Sequence, residues 1–286
     1  KANSSFALLF LAFIFFLRSS FMDFTLNIYK ILLNSLQTRG YSFITFGDFC
    51  RLSSFKEATD SFSRLVILRH DVDLLPKNSL VTARIEASLD IKGSYYFRAV
   101  PQSWDEDIIR EIAALGHEVG YHYESLTTCN GDIGKAYEDF TANLEKLRRI
   151  VAVETICMHG SPRSPWDSKD LWQHYDYRSL GIIGEPYLDI DFNDFFYLTD
   201  TGRRWDGSKV SLRDKIPVHQ ERWISQGLVF RSTKDIIKAA NEGRLPDKIM
   251  MTFHPQRWND AFLPWAKELL LQKVKNVVKR GLVLFK

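Results

Sequence analysis

From Arg64 onward, short apolar and β-branched runs alternate with amphipathic helical stretches for about 220 residues. Residues 64–68 read as a strand that runs into RHDVD, and residues 77–89 read as a helix. Residues 93–100 (GSYYFRAV) read as the next strand. Ser103 and Glu106 form a capping-box pattern ahead of Ile108, Ile109, Ile112 and Leu115, and Gly116 ends that helix. Residues 117–123 read as a third strand. Ile133, Ala136, Tyr137, Phe140, Leu144 and Leu147 then mark an amphipathic helix, and residues 155–159 a fourth strand. Residues 162–228 are less regular, with short strands expected around Ile182 and Phe195. A helix near residues 233–240, a strand at 248–254 and a long helix after Asn259 complete the pattern. Such a chain builds an α/β fold: a parallel sheet with crossover helices, open or closed into a barrel.

Polar residues gather at the carboxyl ends of these strands. His70, Asp71 and Asp73 end the first, Arg98 lies near the end of the second, and His122 and Glu124 end the third. His159 ends the fourth and His254 the last. In βα architectures those ends share one face, where active sites sit. Asp71 and Asp73 are two apart, so an extended strand points both to one side. Two carboxylates there repel unless a cation lies between them, which points to a divalent metal; the alternative is a helix cap plus an arginine pair. His70 would point the other way, as a supporting or structural group. Of His117 and His122, five apart, one faces such a cluster; His122 is nearer the strand end, and His117 is expected in packing. Glu124 shares the face of His122 and would ligate, orient or be solvated. His254, fixed by Pro255, suits a general acid. TDTGRRW (residues 199–205) is either a sugar- or phosphate-holding loop or a solvated turn. Arg98, Tyr123, Arg203, Trp205 and Trp258 are the candidate substrate contacts, the aromatics as stacking surfaces.

The amino-terminal 21 residues read differently. Residues 6–17 (FALLFLAFIFFL) form an unbroken apolar run between Lys1 and Arg18. Twelve residues rise about 18 Å as a helix, short of the roughly 30 Å bilayer core. Signal anchor, signal peptide and sequence upstream of a start at Met22 all fit, and the last is favoured because residue 1 is not Met. Residues 22–62 are expected as a helical segment, opening with an amphipathic helix ended by Gly40, and residues 63–286 as the main domain. The expected location is cytoplasmic, or membrane-anchored or exported if residues 1–21 so direct. The 38 basic and 35 acidic residues give +3, too even for a nucleic-acid footprint. Three widely spaced cysteines exclude a disulfide scaffold and a Cys-rich zinc module.

Over about residues 66–254, these motifs resemble the polysaccharide deacetylases of carbohydrate esterase family 4, the NodB-homology group, in a subgroup whose first motif reads RHDVD. The aromatic GSYYF strand, GHEVGYH and a late strand ending in His254 follow in the family's order. The resemblance implies a distorted (β/α) barrel of about seven parallel strands. It also implies metal-dependent N-deacetylation of amino sugars in surface polysaccharide or its precursors. By that resemblance Asp71 is the catalytic base, Asp73 a metal ligand, His122 the first metal-binding histidine and His254 the late acid. The chain departs from the family at Leu126, where a second metal-binding histidine is expected. His159 or Glu124 would then complete the site, most naturally around Zn²⁺ with three protein ligands and a water. Arg163 loosely matches the family's arginine. The expected partner is a carbohydrate, with no nucleic acid, and a membrane only if residues 1–21 are an anchor. The rival readings are an inactive sugar-binding protein on this scaffold and a different metal-dependent barrel hydrolase.

Overall fold

The structure is a computed structural model that describes residues 22–53, 62–161, 164–206 and 214–284. The apolar run at 6–17 and Arg163 lie outside these. In chain order the elements are α1 (Leu26–Thr38), β1 (Ser42–Ile44), α2 (Phe46–Ser53), β2 (Leu65–Val72), α3 (Pro76–Ala87), β3 (Ser94–Phe97) and α4 (Glu106–Ala114). There follow β4 (Glu118–Tyr123), α5 (Ser125–Thr128), α6 (Ile133–Arg148), β5 (Ile156–Met158), α7 (Pro186–Asp189) and β6 (Phe196–Thr199). The chain closes with α8 (Pro217–Ser225), α9 (Thr233–Asn241), β7 (Lys248–Phe253) and α10 (Phe262–Leu284).

Among the described residues, seven parallel strands form one sheet in the order β5-β4-β3-β2-β7-β6, with β1 also paired to β2. No ladder joins β5 to β6 among the described residues, so the sheet curves as an open, distorted (β/α) half-barrel. All eight residues of β2 are buried, as expected of a central parallel strand covered on both faces. One side of β2 is shared. Its first half pairs with β1 (Ser42↔Leu65 to Ile44↔Ile67) and its second half with β3 (Arg69↔Ser94 to Val72↔Phe97).

This pairing corrects the expectation for residues 22–62. They are not purely helical, because β1 inserts a strand into the sheet of the main domain. The helix α1 is capped by the Thr25 side chain and buries Ile28, Tyr29, Leu32, Leu33 and Leu36 along one face. These residues join the same core as β2, β6 and β7. A second core lies under β3, β4 and β5, where α6 contributes Ala136, Phe140, Leu144 and Leu147.

Three local expectations change. The cap of α4 is Asp105, whose carboxylate accepts from the Ile108 N–H, rather than Ser103. Ser103 instead ties two strand ends together, donating to the Val72 carbonyl and accepting from the Arg98 N–H. Near Ile182 there is no strand, although Gly184 bridges Thr155. The strand expected around Phe195 is β6, and it extends to Thr199, next to Asp200. In GHEVGYH, the side of Gly120 meets the Tyr96 ring and the Thr155 carbonyl; an added Cβ would lie 2.4 Å from the ring. Glu118 fastens three strands by accepting from Ser94, Thr155 and the Gly47 N–H.

Candidate metal centre and active site

The carboxyl ends of β2, β4, β5 and β7 meet on one side of the sheet. Asp71 lies at the end of β2, and Asp73 follows once the strand has ended. There the chain reverses through Leu75, held at φ 55° ahead of Pro76. His122 is in β4, while His159 and His254 directly follow β5 and β7.

Asp73, His122 and His159 each offer a donor atom, and all three atoms lie within 4.8 Å of one another. Asp73 Oδ1 is 3.6 Å from His122 Nε2 and 3.5 Å from His159 Nε2. Zinc bonds of about 2.0–2.2 Å in tetrahedral geometry put donor atoms roughly 3.3–3.6 Å apart, so this spacing fits a shared cation. The protonation pattern fits as well. His122 Nδ1 is 2.9 Å from the Cys157 carbonyl, which can only accept, so Nδ1 carries the proton and Nε2 the lone pair. His159 Nδ1 is likewise 2.9 Å from the Glu124 carboxylate. Asp73 Oδ1 is buried without a hydrogen-bond partner. Burial opposes charge on Asp73, but His122, His159 and His254 hold its carboxyl well below the usual range.

Glu124 therefore orients a member of the candidate donor set, His159, instead of joining that set. One oxygen holds His159, and the other accepts from Arg98 Nε at 2.9 Å and Nη2 at 2.6 Å. Burial works against its charge, yet His159 and Arg98 bring its pKa down to about 2. Arg98, expected as a substrate contact, instead braces Glu124 and the Asp73 carbonyl. Leu126 is buried in the second core, and the second imidazole of the candidate donor set comes from His159, just beyond β5.

One feature matches the alternative reading of RHDVD, an arginine-paired aspartate, and a second was not anticipated. Arg69 grips Asp71 with a bidentate pair, Nε to Oδ1 at 2.8 Å and Nη2 to Oδ2 at 2.6 Å, both groups buried. Their i,i+2 spacing on β2 was the available signal. Asp200 is fully buried beyond β6. It accepts from His254 Nδ1 at 2.6 Å, Arg257 Nη1 at 2.6 Å and Trp258 Nε1 at 2.8 Å. Placing the end of β6 correctly would have flagged it as one more strand-end carboxylate. His254 Nε2 then lies 3.8 Å from Asp73 Oδ2. Burial and Arg257 disfavour the imidazolium, but Asp200 and Asp73 outweigh them and raise the His254 pKa.

A second donor set, Asp71, His122 and Cys157, shares His122. It is the poorer cradle. Both Asp71 oxygens are engaged by Arg69, and burial pushes the Cys157 thiol well above its ordinary value. Asp214, in a described stretch beyond β6, accepts from Tyr187, Tyr197, Thr199 and Thr201. Burial opposes its charge, but Arg69 and His254 hold its carboxyl low.

The remaining expected substrate contacts are corrected. Tyr123 is buried in the second core and its hydroxyl accepts from Trp172 Nε1. Trp205 is buried against Phe24, Phe253 and Trp258 and donates to Thr233. Trp258 is among the most enclosed side chains and positions Asp200. Arg203 is buried and donates to the Trp265 carbonyl, with burial lowering its pKa to about 10. None of these three aromatic rings presents an open stacking face, because packing around the strand ends covers them.

No family model matches the chain, and no curated protein matches it. Among solved structures, a mutant of BA3943 described as a CE4 family pseudoenzyme aligns with TM-score 0.39 and 11% identity over 74% of this chain. A BA3943 mutant described as having restored enzymatic activity aligns with TM-score 0.38 and 10% identity, again over 74%. The chain covers 63% and 64% of those proteins, less than two thirds of their length.

Proposed function

We propose that the chain is a metal-dependent amidohydrolase that removes N-acetyl groups from amino sugars of a surface polysaccharide or its precursors. The observation that carries this reading is the convergence of Asp73, His122 and His159 beside Asp71 and His254 at the strand ends. The first three residues would hold a divalent ion, with Zn²⁺ the best fit to two imidazoles and one carboxylate. When bound, such an ion supplies Lewis acidity that polarises the acetamide carbonyl and acidifies a water.

The chain's own groups supply the proton transfers. Asp71 Oδ2, 3.7 Å from His122 Nε2, accepts the proton of the attacking water. Arg69 fixes the plane of this carboxylate while leaving lone pairs on both oxygens. His254, oriented through Nδ1 by Asp200, donates from Nε2 to the leaving nitrogen. A C–O bond forms, the C–N bond breaks, and acetate leaves a free amine on the sugar.

The test is acetate release from N-acetylglucosamine oligomers by protein reconstituted with Zn²⁺. Wild type is expected to turn over, and Asp71→Asn and His254→Ala to lose turnover while retaining metal. Protein that holds no stoichiometric divalent ion, with Asp73→Ala changing neither metal content nor acetate release, overturns the reading.

A further inference from the structure

The carboxyl-terminal helix α10 is mounted with its apolar arc facing outward. Successive residues turn by about 100°, so Leu263, Leu270, Val274 and Val277 fall in one arc roughly 60° wide. They are 78%, 64%, 65% and 70% exposed, and Leu271 continues the arc at its edge. The opposite side, towards the body, mixes half-buried Trp265, Ala266 and Leu269 with hydrogen-bonding Gln272 and Asn276. Gln272 is buried and donates to Asn276, whose amide donates to the Gly202 carbonyl. Arg203 donates to the Trp265 carbonyl and lies over the Trp265 ring, and Trp265 donates to the Asp23 carbonyl. A helix docked to bury apolar area would be turned the other way. This one is fastened by hydrogen bonds and leaves a contiguous apolar strip in solvent, which is unusual on a monomeric surface.

The charges say what would cover it. Exposed Lys273 and Lys275 flank the two edges of the strip, and exposed Lys267 rises within it. Over residues 262–277, Glu268 is the sole acidic group, and it lies towards the inner side. Two copies packed strip to strip would bring these lysine rims together and bury Lys267 against like charge. An anionic bilayer surface accepts the strip among its acyl chains and the lysines among its phosphates. No helix among the described residues is long and apolar enough to cross a membrane, which fits a helix lying in the interface.

We infer that α10 is an interfacial helix that docks the protein onto an anionic lipid surface. The docking point adjoins the site, since the seam bonds to Gly202 and Arg203, just beyond Asp200. The inference does not depend on the deacetylase reading.

The test is co-sedimentation of the full chain with vesicles of phosphatidylcholine alone and of phosphatidylcholine with phosphatidylglycerol in equal parts. Binding is expected to the anionic vesicles and to weaken with salt. The triple variant Lys267→Glu, Lys273→Glu, Lys275→Glu is expected to lower partitioning on the order of a hundredfold. Leu270→Glu with Val274→Glu is expected to abolish it. All five positions are exposed, so unchanged near-ultraviolet circular dichroism and Tm serve as the folding control. Equal binding of wild type and both variants would place any lipid affinity elsewhere in the chain and overturn the inference. So would failure to bind anionic vesicles, including a result in which the same variants instead dissolve a dimer.

Discussion

Two clusters in this molecule are built from the same parts, two histidines and a carboxylate, on either side of β2. One is Asp73 with His122 and His159 at the strand ends. The other is Glu86 with His70 and His117, sealed in the core. In the core cluster three of the four imidazole nitrogens face a protein group, and His70 Nδ1 is buried without a hydrogen-bond partner. His117 Nδ1 accepts from the Gly93 N–H and Nε2 faces the Ala83 carbonyl, while His70 Nε2 lies 2.9 Å from Glu86 Oε1 and its ring stacks on Tyr95. Glu86 Oε1 also accepts from the Tyr29 and Tyr95 hydroxyls. At the strand ends both Nδ1 groups are tied back, so both Nε2 lone pairs are left facing an oxygen that lacks a partner. Residue type does not separate a metal cradle from a core network. What sets the candidate cradle apart is that both Nε2 atoms converge on one unpartnered carboxylate oxygen.

The largest effect that tests this contrast is loss of the ion. His159→Leu and His122→Leu are expected to abolish stoichiometric Zn²⁺ binding, measured by atomic emission, whereas His117→Gln leaves metal content unchanged. Equal loss of metal in all three would erase the distinction. Next comes stability. Burial opposes the charge of Glu86, but His70, His117 and Tyr29 hold its carboxyl below the ordinary value of 4.5. Glu86→Gln should therefore cost about 1–3 kcal/mol by denaturant unfolding at neutral pH. Because the folded pKa is the lower one, this stability is present above 4.5 and fades as pH falls through the folded value, so the deficit should shrink in acid. Metal-stripped Asp73→Asn is expected to be no less stable than stripped wild type at alkaline pH, since a buried anion with an unpartnered oxygen gains little from its charge there.

A smaller change should follow from loosening the support of one ligand. Glu124→Gln removes the charge that orients His159 and is expected to weaken metal affinity about 10–100-fold by competitive chelation. The smallest is Tyr123→Phe. It deletes the bond from Trp172 and should cost about 1 kcal/mol of stability, with KM for an acetylated oligosaccharide unchanged. A raised KM would return Tyr123 to the substrate.

Much of this was legible in the chain. The alternation of apolar strands and amphipathic helices determined a parallel α/β sheet, because strand and helix periods impose their own burial patterns. RHDVD, GHEVGYH and MTFHP marked Asp71, Asp73, His122 and His254 through their place at strand ends, and MHG added His159. What pattern did not reveal were contacts between distant segments. β1 was hidden because three residues carry too little periodicity to register, and its partner is more than twenty positions away. That His159 and not Glu124 joins the candidate donor set depended on Arg98 engaging the carboxylate from beyond another strand. Asp200 came into view once β6 lay beside β7. Trp205 and Trp258 looked like open platforms until packing closed over them. Local sequence set which side chains stand at the strand ends, through backbone geometry that repeats along the chain. The fold alone decided which lone pairs remain free, because that depends on neighbours the chain brings in from far away.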